Sequence, residues 1–106
     1  MKHVERFAWK GTVLPGKVEE YKRRHAEIWP EMTQVLNRAG VYNYTIWLTG
    51  NELFGYYECE SVAYAAKVQN ESPVVARWNA SMKDIMRMEC DARDGGEGME
   101  RVFYHA

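Results

Sequence analysis

The 106-residue chain has the length of one domain, so we treat residues 1–106 as a single domain. A domain of this size buries only about 60 to 65 per cent of the surface that its unfolded chain exposes, which limits the core and pocket that it can build alone. Its 14 basic and 15 acidic residues are interspersed and give a net charge of −1, which argues against a nucleic-acid partner.

The two cysteines, Cys59 and Cys90, are far apart, and neither has a His or Cys at metal-ligand spacing. They therefore predict neither a zinc site nor a redox motif. The first residues lack the apolar stretch of a signal peptide, and no apolar run approaches the length of a membrane span. We expect a cytoplasmic protein with reduced thiols, no metal ion and no membrane partner.

The first part of the chain predicts one strand and two helices. Apolar and polar residues alternate over residues 4–13, which predicts a strand that ends at a Pro-Gly turn. Apolar and aromatic residues then follow helical spacing over residues 17–28, with charged residues between them. Pro30 stops that helix and can start a second one that extends to residue 39, where Gly40 is placed to cap it.

A β-hairpin is predicted next. Residues 41–48 alternate between two faces, with Tyr44 and Ile46 on one of them. The Thr-Gly-Asn-Glu turn at residues 49–52 leads into a second alternating stretch over residues 53–60. These two strands should be antiparallel neighbours.

The last part of the chain predicts two helices, a loop and a strand. Serines that favour helix starts precede both helices, which we expect over residues 61–70 and 73–88. The Gly-rich acidic stretch 91–98 lacks the ligand spacing of a calcium loop and is predicted to be a solvated loop. Residues 99–105 are predicted to form the final strand.

This order of elements predicts an α+β fold of the ferredoxin-like βαββαβ type, with helices on one face of an antiparallel sheet. The predicted strands carry more aromatic side chains than one helical layer can cover; these are Phe7, Trp9, Tyr42, Tyr44, Phe54, Tyr56 and Phe103. Two sheets packed face to face in a homodimer, a dimeric α/β barrel, would cover the second face.

The strongest candidate for chemistry is the pair Tyr21 and His25, which are four residues apart on the first predicted helix. Residues at this spacing project from the same helix face. Histidine can give and take a proton near neutral pH, so the pair is suited to acid/base catalysis on a small polar substrate. The alternative is that both residues are half-buried and satisfied by local hydrogen bonds.

Several short motifs are spread along nearly the whole chain. The most specific is Arg23-Arg24-His25-x-x-Ile28-Trp29-Pro30-Glu31. The others are Tyr21, Gly40, Asn43-Tyr44, Arg77-Trp78 and Val102-Phe103-Tyr104. Together these motifs resemble the L-rhamnose mutarotase family of small, cofactor-free sugar epimerases. The resemblance implies a homodimer, a monosaccharide substrate and no cofactor.

The resemblance also implies roles for individual residues. His25 corresponds to the proton donor of the family, and Tyr21 and Tyr44 correspond to its substrate-contacting tyrosines. Trp78 corresponds to the first residue of a Trp-Trp pair, and this chain has Asn79 in place of the second. From spacing alone, Tyr44 and Trp78 would more simply be core residues. The Asn79 substitution bears on which sugar is preferred more than on the reaction.

The leading hypothesis is a mutarotase that interconverts the α and β anomers of a 6-deoxy-L-hexose, with L-rhamnose as the first candidate and L-fucose as the second. The dimeric barrel fold also occurs in cofactor-independent monooxygenases, and fold does not determine function. A non-catalytic binding or assembly module, which would use its aromatic sheet only to dimerise, is a third alternative.

Overall fold

The computed structural model describes residues 3–92 and 98–106, and within them it contains four helices and four strands. In chain order the elements are β1 (Glu5–Val13), α1 (Val18–Ala26), α2 (Pro30–Arg38), β2 (Tyr42–Thr49), β3 (Glu52–Cys59), α3 (Val62–Glu71), α4 (Pro73–Met82) and β4 (Met86–Asp91).

The four strands form one antiparallel sheet in the order β2-β3-β1-β4. Each βαβ unit therefore brackets a pair of helices, which confirms the predicted ferredoxin-like fold. The pairing places Trp9 of β1 opposite Gly55 of β3, and Gly55 opposite Ile46 of β2. This register brings three strands together beneath the helices.

Serine and proline define the helix starts as the sequence predicts. The Ser61 hydroxyl accepts a hydrogen bond from the backbone N–H of Tyr64, and Ser72 accepts one from Val75. Caps of this kind stabilise a helix by about 1 kcal/mol each. Pro30 is at the first turn of α2, where its missing N–H costs no helical hydrogen bond.

The prediction for the last helix and the last strand is wrong. Helix α4 ends at Met82 instead of residue 88, and the final strand is β4, whereas residues 99–105 have no regular secondary structure. Methionine is a good helix former, so Met86 and Met88 extend the apparent helical pattern. They also alternate with polar residues, and pairing with β1 decides in favour of the strand. Residues 93–97 of the predicted loop lie outside the described residues.

The core lies between the helices and one face of the sheet, and its fully buried side chains include Val13, Val35, Leu53 and Ile85. The opposite face, which we call the open face, carries Trp47, Phe54 and Tyr56 because side chains alternate along a strand. Trp47 is 67% exposed. Aromatic residues therefore occur on both faces as predicted, except that Phe103 lies outside the sheet and is exposed.

No helix within residues 3–92 and 98–106 is long and apolar enough to cross a membrane.

Candidate active site

Tyr21 and His25 lie on the inner face of α1, as their spacing predicts. Tyr21 is buried and His25 is half-buried. Their rings stack with centroids 4.2 Å apart and planes 29° apart. The His25 Nδ1 atom is 3.1 Å from the backbone carbonyl oxygen of Tyr21. The imidazole is thus held in one orientation by its own helix.

This hydrogen bond determines which nitrogen of His25 can accept a proton. A carbonyl oxygen only accepts, so Nδ1 carries the hydrogen and Nε2 of the neutral ring keeps its lone pair. Burial lowers the pKa of His25, and the bond to the Tyr21 carbonyl opposes that change less strongly. His25 is therefore neutral at pH 7, and among the described residues Nε2 has no hydrogen-bond partner.

Both residues line a cavity of about 270 Å³, which we call the α1–β2 cavity. Its lining residues are Tyr21, Lys22, His25, Ile46, Leu48 and Leu53. Ligand pockets typically have volumes of about 300 to 1,000 Å³ and combine apolar walls with a few polar groups. The α1–β2 cavity is just below this range, so it suits a ligand no larger than a single sugar ring.

The Tyr21 hydroxyl is buried and has no hydrogen-bond partner within the described residues. Burial, and to a smaller extent the proximity of Tyr44, raise the pKa of Tyr21, so it stays protonated at neutral pH. An unpaired buried hydroxyl costs about 1 to 3 kcal/mol and therefore calls for an explanation. A hydrogen bond to a ligand in the α1–β2 cavity would supply one.

Tyr44 lies on β2 on the helix side of the sheet. Its Oη atom accepts a hydrogen bond from Trp9 Nε1 at 3.0 Å. Burial raises the pKa of Tyr44 to about 12, although the bond from Trp9 opposes this rise. The phenol is thus protonated at pH 7 and can act as a proton donor. It is close enough to Tyr21 to raise the pKa of that residue, although it does not line the α1–β2 cavity.

Trp78 is buried on α4 beside His25, with the two rings perpendicular and their centroids 5.5 Å apart. A second perpendicular contact joins it to Trp29 at 5.1 Å. The structure thus places Trp78 next to His25, but Trp78 does not line the α1–β2 cavity, and its contact with substrate stays a prediction. Asn79 is exposed and lines neither of the two cavities described here, so its contact with substrate stays a prediction.

Trp78 belongs to the wall of a second cavity of about 290 Å³, which we call the α1–α4 cavity. The residues that line it are Arg23, Arg24, Glu27, Trp29, Trp78 and Ser81. Arg23 forms ion pairs with Glu20 and Glu27, and Arg24 donates to Glu20 at 2.8 Å. The charges in this cavity are therefore already compensated within the protein.

The sequence did not predict the hydrogen bond from Trp9 to Tyr44, because Trp9 stood out only as one of several aromatic strand residues. The contact with Tyr44 joins residues 35 positions apart in the sequence. It depends on the register of β1, β3 and β2, which residue spacing within one strand does not reveal.

Within residues 3–92 and 98–106, no group of three or more His, Cys, Asp or Glu residues is placed to hold a metal ion.

Comparison with known proteins identifies the family. Residues 6–105 match the profile of a family described as L-rhamnose mutarotase. The chain is 41% identical to an L-rhamnose mutarotase of Pectobacterium carotovorum subsp. carotovorum over 102 residues, which covers 93% of this chain and 96% of the relative. It is 38% identical to one of Oceanobacillus iheyensis, with coverage of 88% and 90%.

Comparison with solved structures agrees with the sequence comparison. A crystal structure of an L-rhamnose mutarotase from Formosa agariphila superposes with a TM-score of 0.75 at 30% sequence identity, covering 96% of this chain and 99% of the other. A profile match over nearly all residues, together with relatives of this identity and coverage, shows that the chain belongs to the L-rhamnose mutarotase family.

Proposed function

We propose that this protein interconverts the α and β anomers of L-rhamnose by acid/base ring opening without a cofactor. The proposal is supported by membership of the mutarotase family. The observation that carries it is the placement of a neutral His25 beside the unpaired Tyr21 hydroxyl in a cavity of sugar size. One group can accept a proton and the other can donate one, which is what ring opening requires.

In the proposed reaction, His25 Nε2 takes the proton from the anomeric hydroxyl as the bond between C1 and the ring oxygen breaks. A tyrosine hydroxyl, of Tyr21 or Tyr44, gives its proton to the ring oxygen. After rotation about C1–C2, the tyrosinate takes the proton back from that oxygen as the ring closes on the other face of C1. The protonated His25 then returns its proton to the new anomeric oxygen, so it acts as the donor in closure.

The activity can be tested by NMR saturation transfer between the two anomeric protons of each sugar. A panel of L-rhamnose, L-fucose and D-hexoses measures activity and specificity together. We expect faster exchange for L-rhamnose than in enzyme-free buffer, and little acceleration for the D-hexoses. Faster exchange for L-fucose than for L-rhamnose would instead support the alternative substrate, and no acceleration for any sugar would contradict the proposed function.

We predict that Asn79→Trp changes the ratio of L-rhamnose to L-fucose exchange while exchange itself persists. A site that hydrogen-bonds a hydroxyl discriminates epimers strongly, whereas an apolar wall discriminates them weakly. The matched control is Ala80→Trp, which adds the same ring at the adjacent exposed position of α4. An unchanged ratio for Asn79→Trp across the panel would place Asn79 outside the substrate site.

We also propose that the protein is a homodimer in which the open faces of two sheets pack together. Trp47 is largely exposed there, and Phe54 is 36% exposed. Lys10, in the middle of this face, pairs with Glu52 and Glu89 of its own chain. The face can therefore be covered without leaving that charge unpaired, which would be costly.

We predict a dimer in light scattering at micromolar protein concentration, with a total buried area of at least about 1,600 Å². Trp47→Glu should shift the protein toward monomer because it places a charge in the apolar centre of the interface. Tyr64→Glu is the matched control, since Tyr64 is a 54% exposed aromatic residue on α3, away from the open face. A wild-type monomer, or equal effects of the two substitutions, would contradict this interface.

A further inference from the structure

We propose that Trp9 is a positioning residue that fixes the Tyr44 hydroxyl for proton transfer, and that Gly55 provides the space that makes this contact possible. This inference rests on the proposed function, because it assigns Tyr44 a part in the same reaction.

The Trp9 indole occupies the space beside Gly55. A β-carbon added to this glycine would lie 2.0 Å from Cε2 and 2.1 Å from Nε1 of Trp9, far inside van der Waals contact. The indole therefore covers the position that any side chain at residue 55 would occupy. From β1 it reaches across β3 to β2, where its Nε1 meets the Tyr44 hydroxyl.

This contact limits what the Tyr44 hydroxyl can do. Indole Nε1–H is a donor only, so Tyr44 Oη must accept from it. The hydroxyl hydrogen is thus left to donate elsewhere, and among the described residues it has no acceptor. Trp9 is only 5% exposed, so water has little access to this hydrogen bond. The Tyr44 oxygen is therefore fixed and its hydrogen is free to donate. Tyr44 does not itself line the α1–β2 cavity, but it is close enough to the cavity residue Tyr21 to raise the pKa of that hydroxyl.

The same N–H also assists the chemical step. When the Tyr44 O–H bond breaks and its proton passes to the sugar ring oxygen, a phenolate remains. A hydrogen bond to an ionised acceptor is about twice as strong as one to a neutral acceptor. The Trp9 N–H therefore stabilises the phenolate more than the phenol, and the proton returns to the same oxygen when the ring closes.

Trp9 also packs in the core with Tyr21 and Leu53, so a test must separate the hydrogen bond from packing. A double-mutant cycle of Trp9→Phe and Tyr44→Phe does this, with kcat and KM for L-rhamnose exchange as the readouts. We expect Trp9→Phe to lower kcat about three- to tenfold with little change in KM, the size expected for loss of one hydrogen bond. In the Tyr44→Phe background, Trp9→Phe should lower kcat no further.

An equal fall in both backgrounds would show that Trp9 acts only through packing, and would overturn the inference. A full exchange rate in Tyr44→Phe would remove Tyr44 from the reaction, which would overturn the inference while leaving the mutarotase activity itself intact. No exchange by the wild-type protein would instead contradict the proposed function. These three failures are therefore distinguishable.

Gly55→Ala tests the second half of the inference. Its added methyl group should displace the indole and lower kcat about as much as Trp9→Phe does, although every residue of the cavity is unchanged. In the variant with both changes, the smaller phenyl ring should accommodate the methyl group and recover thermal stability, but not kcat. If Trp9→Phe alone is too unstable to assay, this double variant replaces it in the cycle. A Gly55→Ala protein with the wild-type kcat would overturn the part assigned to Gly55.

Discussion

His25→Ala is expected to lower L-rhamnose anomer exchange by about a hundredfold or more while the fold remains intact. General acid/base groups supply about a hundred- to ten-thousandfold rate enhancement, and the methyl group of alanine can neither take nor give a proton. The ring stacks on Tyr21 and meets the edge of Trp78, but it is only half-buried, so its loss should lower the stability moderately without unfolding the protein. Saturation transfer NMR gives the rate, and circular dichroism reports the fold.

The control for this substitution is His3→Ala, because His3 is exposed and its ring is near Glu5 at the start of β1. It should leave the exchange rate unchanged. Burial lowers the pKa of His25 from the ordinary histidine value of about 6.5, and protonation removes the Nε2 lone pair. The exchange rate of the wild-type protein should therefore fall at pH values below that ordinary value. A His25→Ala variant that retains most of the activity would show that another group is the base.

The lowered pKa of His25 should also make the free energy of unfolding depend on pH. The pKa of His25 is lower in the folded state than in the unfolded state. At pH values between these two pKa values, the unfolded chain therefore binds more protons than the folded one. The resulting stability is fully present above the unfolded pKa and is lost as the pH falls through that range. This part of the pH dependence should be missing in the His25→Ala protein.

Tyr21→Phe is expected to change activity and stability in opposite directions. The hydroxyl is buried without a partner in the described structure, so removing it should leave stability unchanged or raise it by about 1 kcal/mol. Exchange should fall about ten- to a hundredfold, because the variant loses a hydrogen bond that forms only with the sugar. Thermal unfolding and saturation transfer NMR measure the two effects on the same samples.

Tyr57→Phe is the matched control for this pair of effects. Tyr57 is also buried, at 4% exposure, but its hydroxyl interacts with Gln69. Loss of a satisfied hydroxyl should lower stability by about 1 kcal/mol and leave the exchange rate nearly unchanged. If Tyr21→Phe instead behaves like Tyr57→Phe in both measurements, Tyr21 is a structural residue.

The fold could be predicted largely from local signals. Alternation identified β1 and the β2–β3 hairpin, while Pro30, Ser61 and Ser72 marked helix starts. Residues 86–91 misled the prediction because their composition allows a helix and their alternation allows a strand. Only the pairing with β1, a contact distant in sequence, resolves that ambiguity.

The contacts in the candidate site likewise include some that local spacing predicts and others that depend on residues distant in sequence. Tyr21 and His25 are one helical turn apart, so their contact follows from spacing alone. The proximity of Trp78 to His25 depends on how α4 packs, and here the prediction came from the family resemblance. The hydrogen bond between Trp9 and Tyr44 spans two strand pairings, and neither route predicted it.

The close approach of Trp9 to Gly55 restricts how this sequence can change over time. A side chain at position 55 collides with the indole, so it becomes acceptable only after residue 9 has become smaller. A smaller residue at position 9 in turn leaves unfilled space over the glycine, which costs stability until that space is filled. Each single step is unfavourable while the pair of changes together is not, so these two positions, 46 residues apart in the chain, are expected to be inherited and replaced as a unit.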